Sequence, residues 1–190
     1  MYEKENLYFI AIIPSQEICD EITGFKKDFA DRFESKKALK VIPHITLKAP
    51  FKVPAAELSK LEQWFQQLYI NLETFEIELK DFGAFHNKNN PVVFVQPIMN
   101  IHLYSLQQEI IRSFKVFSPQ VPVMELELKY KPHITVAYRD LEPERFRQAW
   151  KEYQLKKYTA TFPVNDFHLL QHNGKEWKII NTYSLKGVGG

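Results

Sequence analysis

The tetrapeptide Pro-His-Ile-Thr occurs twice, at residues 43–46 and 132–135, and an apolar residue follows each copy, Leu47 and Val136. Two such segments can bring two imidazoles and two hydroxyls to one place. Imidazole can give or take a proton near neutral pH, so a matched pair predicts an acid and a base acting together. In an extended strand, alternation puts His and Thr of each copy on one face and Ile with its apolar successor on the other. Each segment is read as a strand with chemistry on one side and core on the other.

The surroundings of the two copies repeat as well. Pro54 and Pro143 each lie ten residues beyond the motif histidine, and each opens a helical pattern, over 55–69 and 144–155. Alternating strands follow, from Phe75 to Lys80 ahead of Asp81-Phe82 and over 159–170 with Asp166-Phe167 in the similar place. A turn and another apolar strand come next, over 86–91 into 92–95 and over 172–174 into 177–183. Upstream, a strand at 8–13 precedes a helix at 15–33, and a strand at 92–99 precedes a helix at 101–117, with Ser15 and Asn100 as N-cap residues. Hairpin turns between Val, Ile and Phe runs favour antiparallel sheets. The expected fold class is therefore α+β and bilobal: two pseudo-symmetric lobes, each a largely antiparallel sheet with two outer helices, and a cleft between them. Residues 1–190 are read as one domain of two repeated halves, roughly 1–90 and 91–185, an organisation that allows strands to be exchanged between lobes.

Composition sets the outer limits. The chain has 190 residues, 45% hydrophobic and 25% charged, as expected of an ordinary globular protein. Its 25 basic and 23 acidic residues leave a net charge of +2, too little to grip long nucleic acid through its phosphates, whereas a ligand with one or a few phosphates fits. No apolar run reaches membrane-spanning length, and the N-terminus lacks a signal-peptide pattern, so neither a membrane nor export is expected. The single cysteine, Cys19, lies in an amphipathic stretch and reads as a buried apolar residue, consistent with a cytoplasmic setting. Residues 5–9 resemble most of a protease site used in expression tags, but the apolar run over 10–13 continues them as a strand, so they count as part of the fold.

With two His-x-Thr-x motifs, His44-Ile45-Thr46-Leu47 and His133-Ile134-Thr135-Val136, set 89 residues apart in a duplicated pattern, the chain resembles the 2H phosphoesterases. The continuation Lys48-Ala49-Pro50-Phe51 looks like the LigT-like bacterial branch often labelled the 2'-5' RNA ligase family. The resemblance implies metal-independent opening of a 2',3'-cyclic phosphate on a nucleotide or RNA end, without a cofactor. It implies His44 as the acid that protonates the leaving ribose oxygen and His133 as the base that activates water; the residues alone fit either order. In this reading Thr46 and Thr135 are phosphate clamps, donating hydrogen bonds to non-bridging oxygens as charge builds there. Strict alternation adds Lys48 to the face of His44 and Arg139 to that of His133, at the cleft rim, against the plainer reading of solvated strand ends. Tyr138 and Phe51 are candidate stacking partners for a base, with core packing the competing role for Phe51.

Other features weigh less. His168 and His172, four apart at a hairpin, suit metal ligation on a helix better than on a strand, and no metal is expected. His86 and His102 read as surface residues, and Lys36, Lys37 and Lys40 as a solvated basic face or a guide for an RNA end. Three alternatives stand beside the cyclic phosphodiesterase: 2'-5' ligation or 2'-5' phosphodiester cleavage by the same residues, a non-catalytic phosphonucleotide-binding module, and a zinc hydrolase. A chain that buries its own repeat interface has no need of a partner, so a monomer is expected.

Overall fold

The computed structural model describes residues 5–187. In chain order the elements are β1 (Glu5–Ile12), α1 (Gln16–Phe33), β2 (Ile45–Pro54), α2 (Leu58–Gln66), β3 (Phe75–Phe85), β4 (Val92–Pro97), α3 (Ile101–Phe117), α4 (Glu125–Leu128), β5 (Ile134–Ala137), α5 (Pro143–Tyr153), β6 (Thr159–Val164), β7 (Asp166–His172) and β8 (Trp177–Ser184). Single turns of 3-10 helix at Lys37–Lys40 and Ala55–Glu57 precede β2 and α2. No helix among the described residues is long and apolar enough to cross a membrane.

The strands form two antiparallel four-stranded sheets, ordered β2-β1-β7-β8 and β5-β4-β3-β6. The fold is thus α+β with a motif strand at one edge of each sheet. Strands do cross between the sequence halves: β3 joins the sheet of β4 and β5, while β7 and β8 complete the sheet of β1 and β2. The run over 159–170, read as one strand, breaks at Asn165, and its two parts enter different sheets. Pro163 is accommodated because β6 is an edge strand, where a missing N–H costs no ladder bond.

Apolar periodicity explains the packing. On β1, Tyr8, Ile10 and Ile12 enter a core shared with Leu79, Val93, Val95, Ile134 and Val136 of the other sheet. The alternate residues Phe9 and Ala11 form a second, smaller cluster with Leu170 on the opposite face. The helices match the expected ones within a few residues, although Ser15 makes no side-chain cap and only Asn100 does, accepting from Leu103 N at 2.8 Å. The sequence reading placed no element between Phe117 and Pro132, where α4 occurs.

What holds α4 is a buried ion pair. Lys48 Nζ donates to Glu127 Oε1 at 2.8 Å with both side chains almost fully buried, and the same oxygen accepts from Ala49 N at 2.9 Å. Glu127 Oε2 accepts from Met124 N at 2.7 Å, and the Lys48 ammonium lies over the Phe114 ring. Desolvating two charges is costly and is offset only by such complete pairing. Removal of one partner, Lys48→Met or Glu127→Ala, is expected to cost about 3–5 kcal/mol in urea denaturation, because a buried charge is left alone. The double variant Lys48→Met/Glu127→Leu should lose far less than the two single losses combined.

Candidate active site

Each motif histidine stands just before the first ladder residue of its strand, behind a proline that fixes its own φ and keeps the preceding residue extended. In that geometry His44 Nδ1 donates to Ile42 O at 2.7 Å and His133 Nδ1 donates to Lys131 O at 2.8 Å. A carbonyl can only accept, so in each ring the proton sits on Nδ1 and Nε2 is left with its lone pair. The two copies use one device.

Both histidines, with Thr46 and Thr135, line a single cavity of about 440 Å³. Each imidazole is backed by phenyl rings. Phe9 lies 4.8 Å from His44, and Phe85 and Phe94 lie 5.1 and 5.5 Å from His133. Gly83 makes room for that backing, since a Cβ there would collide with the Phe94 ring. Burial among these rings, opposed by the Ile42 hydrogen bond and reinforced by the charges of Lys26 and His133, brings His44 down to about 4. Burial also lowers His133, against the pull of the Lys131 carbonyl. Among the described residues no carboxylate lines the cavity, whereas Lys26, Arg139 and His172 do.

The remaining candidates divide between cleft and core. Tyr138 and Arg139 line the cavity, stacked on each other with the guanidinium 5.0 Å from the ring. Arg139 does not arrive by alternation, because β5 ends at Ala137. It sits at φ 62° in a tight turn closed by Asp140 N donating to Tyr138 O at 2.7 Å. Lys48 and Phe51 lie away from the cavity. The β1–β2 register shifts twice, from Tyr8↔Phe51 to Ile10↔Lys48 to Ala11↔Thr46, leaving two extra residues on β2. These bulges turn Lys48 from the Thr46 face into the protein, where it meets Glu127, and bring Pro50 back to the cleft. Phe51 packs in the core on Tyr8 and Phe114.

Several cavity residues lie outside the sequence reading: Phe9, Lys26, Ala38, Val41, Phe85 and Trp177, with His172 considered only as a metal ligand. Trp177 packs edge-on against Phe9 and beside His172, giving the cleft an aromatic wall. His168, by contrast, is held by Thr182 Oγ1 and Asp166. Asp140 fixes the wall that carries Ala38 and Val41 by accepting from Ser35 Oγ, Lys36 N and Lys37 N, each at 2.9 Å. Lys36, Lys37 and Lys40 themselves are exposed. Buried Cys19 has its thiol pushed up to about 11 by desolvation, which keeps it unreactive. Among the described residues no cluster of three or more His, Cys, Asp and Glu side chains could hold a metal ion. A second cavity of about 370 Å³ adjoins the first and shares Thr46, Phe85 and His133 with it; Asn87, Lys129 and Lys131 line its far side.

In an NMR titration His44 is expected to protonate near pH 4 and His133 below the ordinary histidine range. An unfolded chain protonates His44 near 6.5, so between 6.5 and 4 the unfolded state binds more protons and stability falls as the pH falls. The loss for this group is about 3 kcal/mol, complete below pH 4. Urea denaturation of His44→Gln should show that part of the acid sensitivity removed.

A family model described as the 2'-5' RNA ligase superfamily matches residues 14–176. A provisionally named phosphoesterase of Bacillus cytotoxicus is 28% identical over 177 residues, covering 93% of this chain and 95% of the relative. Another, from Staphylococcus haemolyticus, is 24% identical over 178 residues, covering 93% and 97%. Among solved structures, TT0787 of Thermus thermophilus superposes with a TM-score of 0.65 at 18% identity, covering 96% of this chain and 99% of that one. The apo form of E. coli LigT gives a TM-score of 0.63 at 18% identity over the same shares, so the fold is common to all three. The match over residues 14–176 makes this chain a member of the 2'-5' RNA ligase superfamily, the 2H phosphoesterases.

Proposed function

We propose that the chain is a metal-independent phosphodiesterase that opens 2',3'-cyclic phosphates on nucleotides or RNA ends. The observation that carries this reading is the pair of imidazoles, each with its proton on Nδ1 and its Nε2 lone pair available, in one cavity with two threonine hydroxyls and, among the described residues, no carboxylate. LigT of E. coli has been crystallised with 3'-AMP and with phosphate, ligands of the same chemistry.

In the reaction, one imidazole takes a proton from water as its oxygen attacks phosphorus. The P–O bond to one ribose oxygen breaks, and the other imidazole, protonated, gives that oxygen its proton. Thr46 and Thr135 donate to the non-bridging oxygens, where negative charge builds, and Arg139 adds a positive charge from the rim. The aromatic wall of Phe9, Trp177 and Tyr138 suits a nucleobase. Lys26 beside His44 disfavours protonation there, which supports His44 as the base and His133 as the acid, the reverse of the order that family resemblance implies. All the groups in this reading come from one chain, which acts as a monomer.

A second reading, cleavage or formation of a 2'-5' phosphodiester, is favoured by the adjoining cavity, which gives space on both sides of Thr46 and His133. Products separate the two. A 5'-hydroxyl RNA mixed with a cyclic-phosphate RNA yields joined strands in one case and only a terminal monophosphate in the other.

Assayed in chelator on nucleoside 2',3'-cyclic monophosphates, His44→Ala and His133→Ala are each expected to lower kcat/KM by about 10²- to 10⁴-fold, with the double variant falling well short of the product of the two losses. The kcat/KM profile should be bell-shaped with macroscopic limbs belonging to the pair, and His44→Ala should retain only the alkaline limb. Full activity of either variant would remove the two-histidine reading.

A further inference from the structure

The buried face of α1 runs Ile18, Ile22, Lys26, Phe29 and Phe33, so a lysine occupies a position in an apolar stripe. Its side chain is only 3% exposed. Lysine is almost never buried to this degree unless paired. Yet among the described residues Lys26 makes no ion pair, and its one hydrogen bond goes to the neutral carbonyl of Val41 at 2.7 Å. An ammonium group carries three donor hydrogens, so this bond leaves two unused.

The side chain reaches the wall of the cavity that holds His44 and His133. Besides the two histidines, the titratable or charged groups of that wall are Tyr138, Arg139 and His172, and Cys19 lies two turns back on α1. None is a carboxylate, so among the described residues the cavity supplies no counter-charge. The cavity is where an anion from solution can enter to supply one.

We propose that Lys26 is a phosphate-binding residue of the cleft, which keeps one hydrogen on Val41 O and gives the others to a non-bridging oxygen of the bound phosphate on the His44 side. The proposal rests on the phosphoester reading of the site and adds to it a cation from α1, outside both motifs. Burial brings the ammonium down to about 8, so it is still mainly charged at neutral pH. A phosphate bound there supplies an opposite charge and lifts the group back toward its ordinary range. Val41 lies three residues before His44, so the same side chain ties the helix to the segment that orients the imidazole.

Titration of the wild-type Lys26 side chain by 13C NMR, with and without inorganic phosphate, tests this without depending on how a variant folds. The expected result is an upward shift of its midpoint by about one unit or more on adding phosphate, the direction that an opposite charge imposes. If the His44 and His133 signals respond to phosphate while the Lys26 midpoint stays put, Lys26 is only a structural tie and the proposal fails with the phosphoester reading intact. If none of the three responds, both fall. In calorimetry, Lys26→Met should weaken inorganic phosphate at least tenfold while leaving neutral adenosine nearly unaffected. Equal losses for the two ligands would also overturn the proposal.

Discussion

The separation of the two imidazoles is held by one apolar core that runs beneath both sheets. If each half of the chain folded upon itself, two small lobes would meet across a surface free to slide, and the cleft would have no fixed width. Here β3 crosses into the sheet of β4 and β5, and β7 and β8 cross back to β1 and β2, so residues of both halves interdigitate in a single cluster. A packed interior resists shear because its side chains fill the space at crystal-like density. Within that frame His44 and His133 need only local support, which the carbonyls of Ile42 and Lys131 supply.

The cavity wall is basic by omission as much as by provision. Its wall carries basic and imidazole groups and, among the described residues, no carboxylate. Two acids close in sequence to the lining are committed elsewhere: Asp140 holds the backbone of the 35–37 segment, and Glu127 is saturated by Lys48 and two backbone amides. Rings of Phe9, Phe85 and Phe94 pack on the imidazoles, and burial lowers both histidines, which favours their neutral forms. In the proposed reaction a bound phosphate opposes that effect and favours one protonated ring. On that proposal the states needed for general acid and base catalysis follow from ligand charge acting on a desolvated pair.

The structural supports of the site are polar groups buried in complete pairs. Tyr130 OH donates to Thr46 O at 3.1 Å, Gln107 Nε2 to Glu127 O at 3.0 Å, and Lys48 to Glu127, so the short helix α4 clamps β2 where its two bulges would otherwise leave backbone groups exposed to apolar surroundings. Such bulges re-aim side chains while keeping a strand in its sheet. They let β2 present Thr46 and Pro50 to the cleft beside His44 and still bury Leu47, Lys48, Ala49 and Phe51.

By itself the sequence determined the two motifs that meet in the cavity and the kind of fold, because these depend on local periodicity. Two Pro-His-Ile-Thr copies, period-two strands, and helices such as Ile101–Phe117 with its Asn100 cap are written in short windows of chain. Only the tertiary structure decided which strand lies beside which, where alternation fails, and what else reaches the histidines. A bulge depends on the partner strand, so Lys48 could not be told from a cleft residue by counting in twos. A lysine in an apolar helix stripe acquires meaning only when the cavity beyond it is known. His172 and Trp177 arrive from the far end of the chain because β7 and β8 complete the first sheet, a pairing that no local pattern encodes.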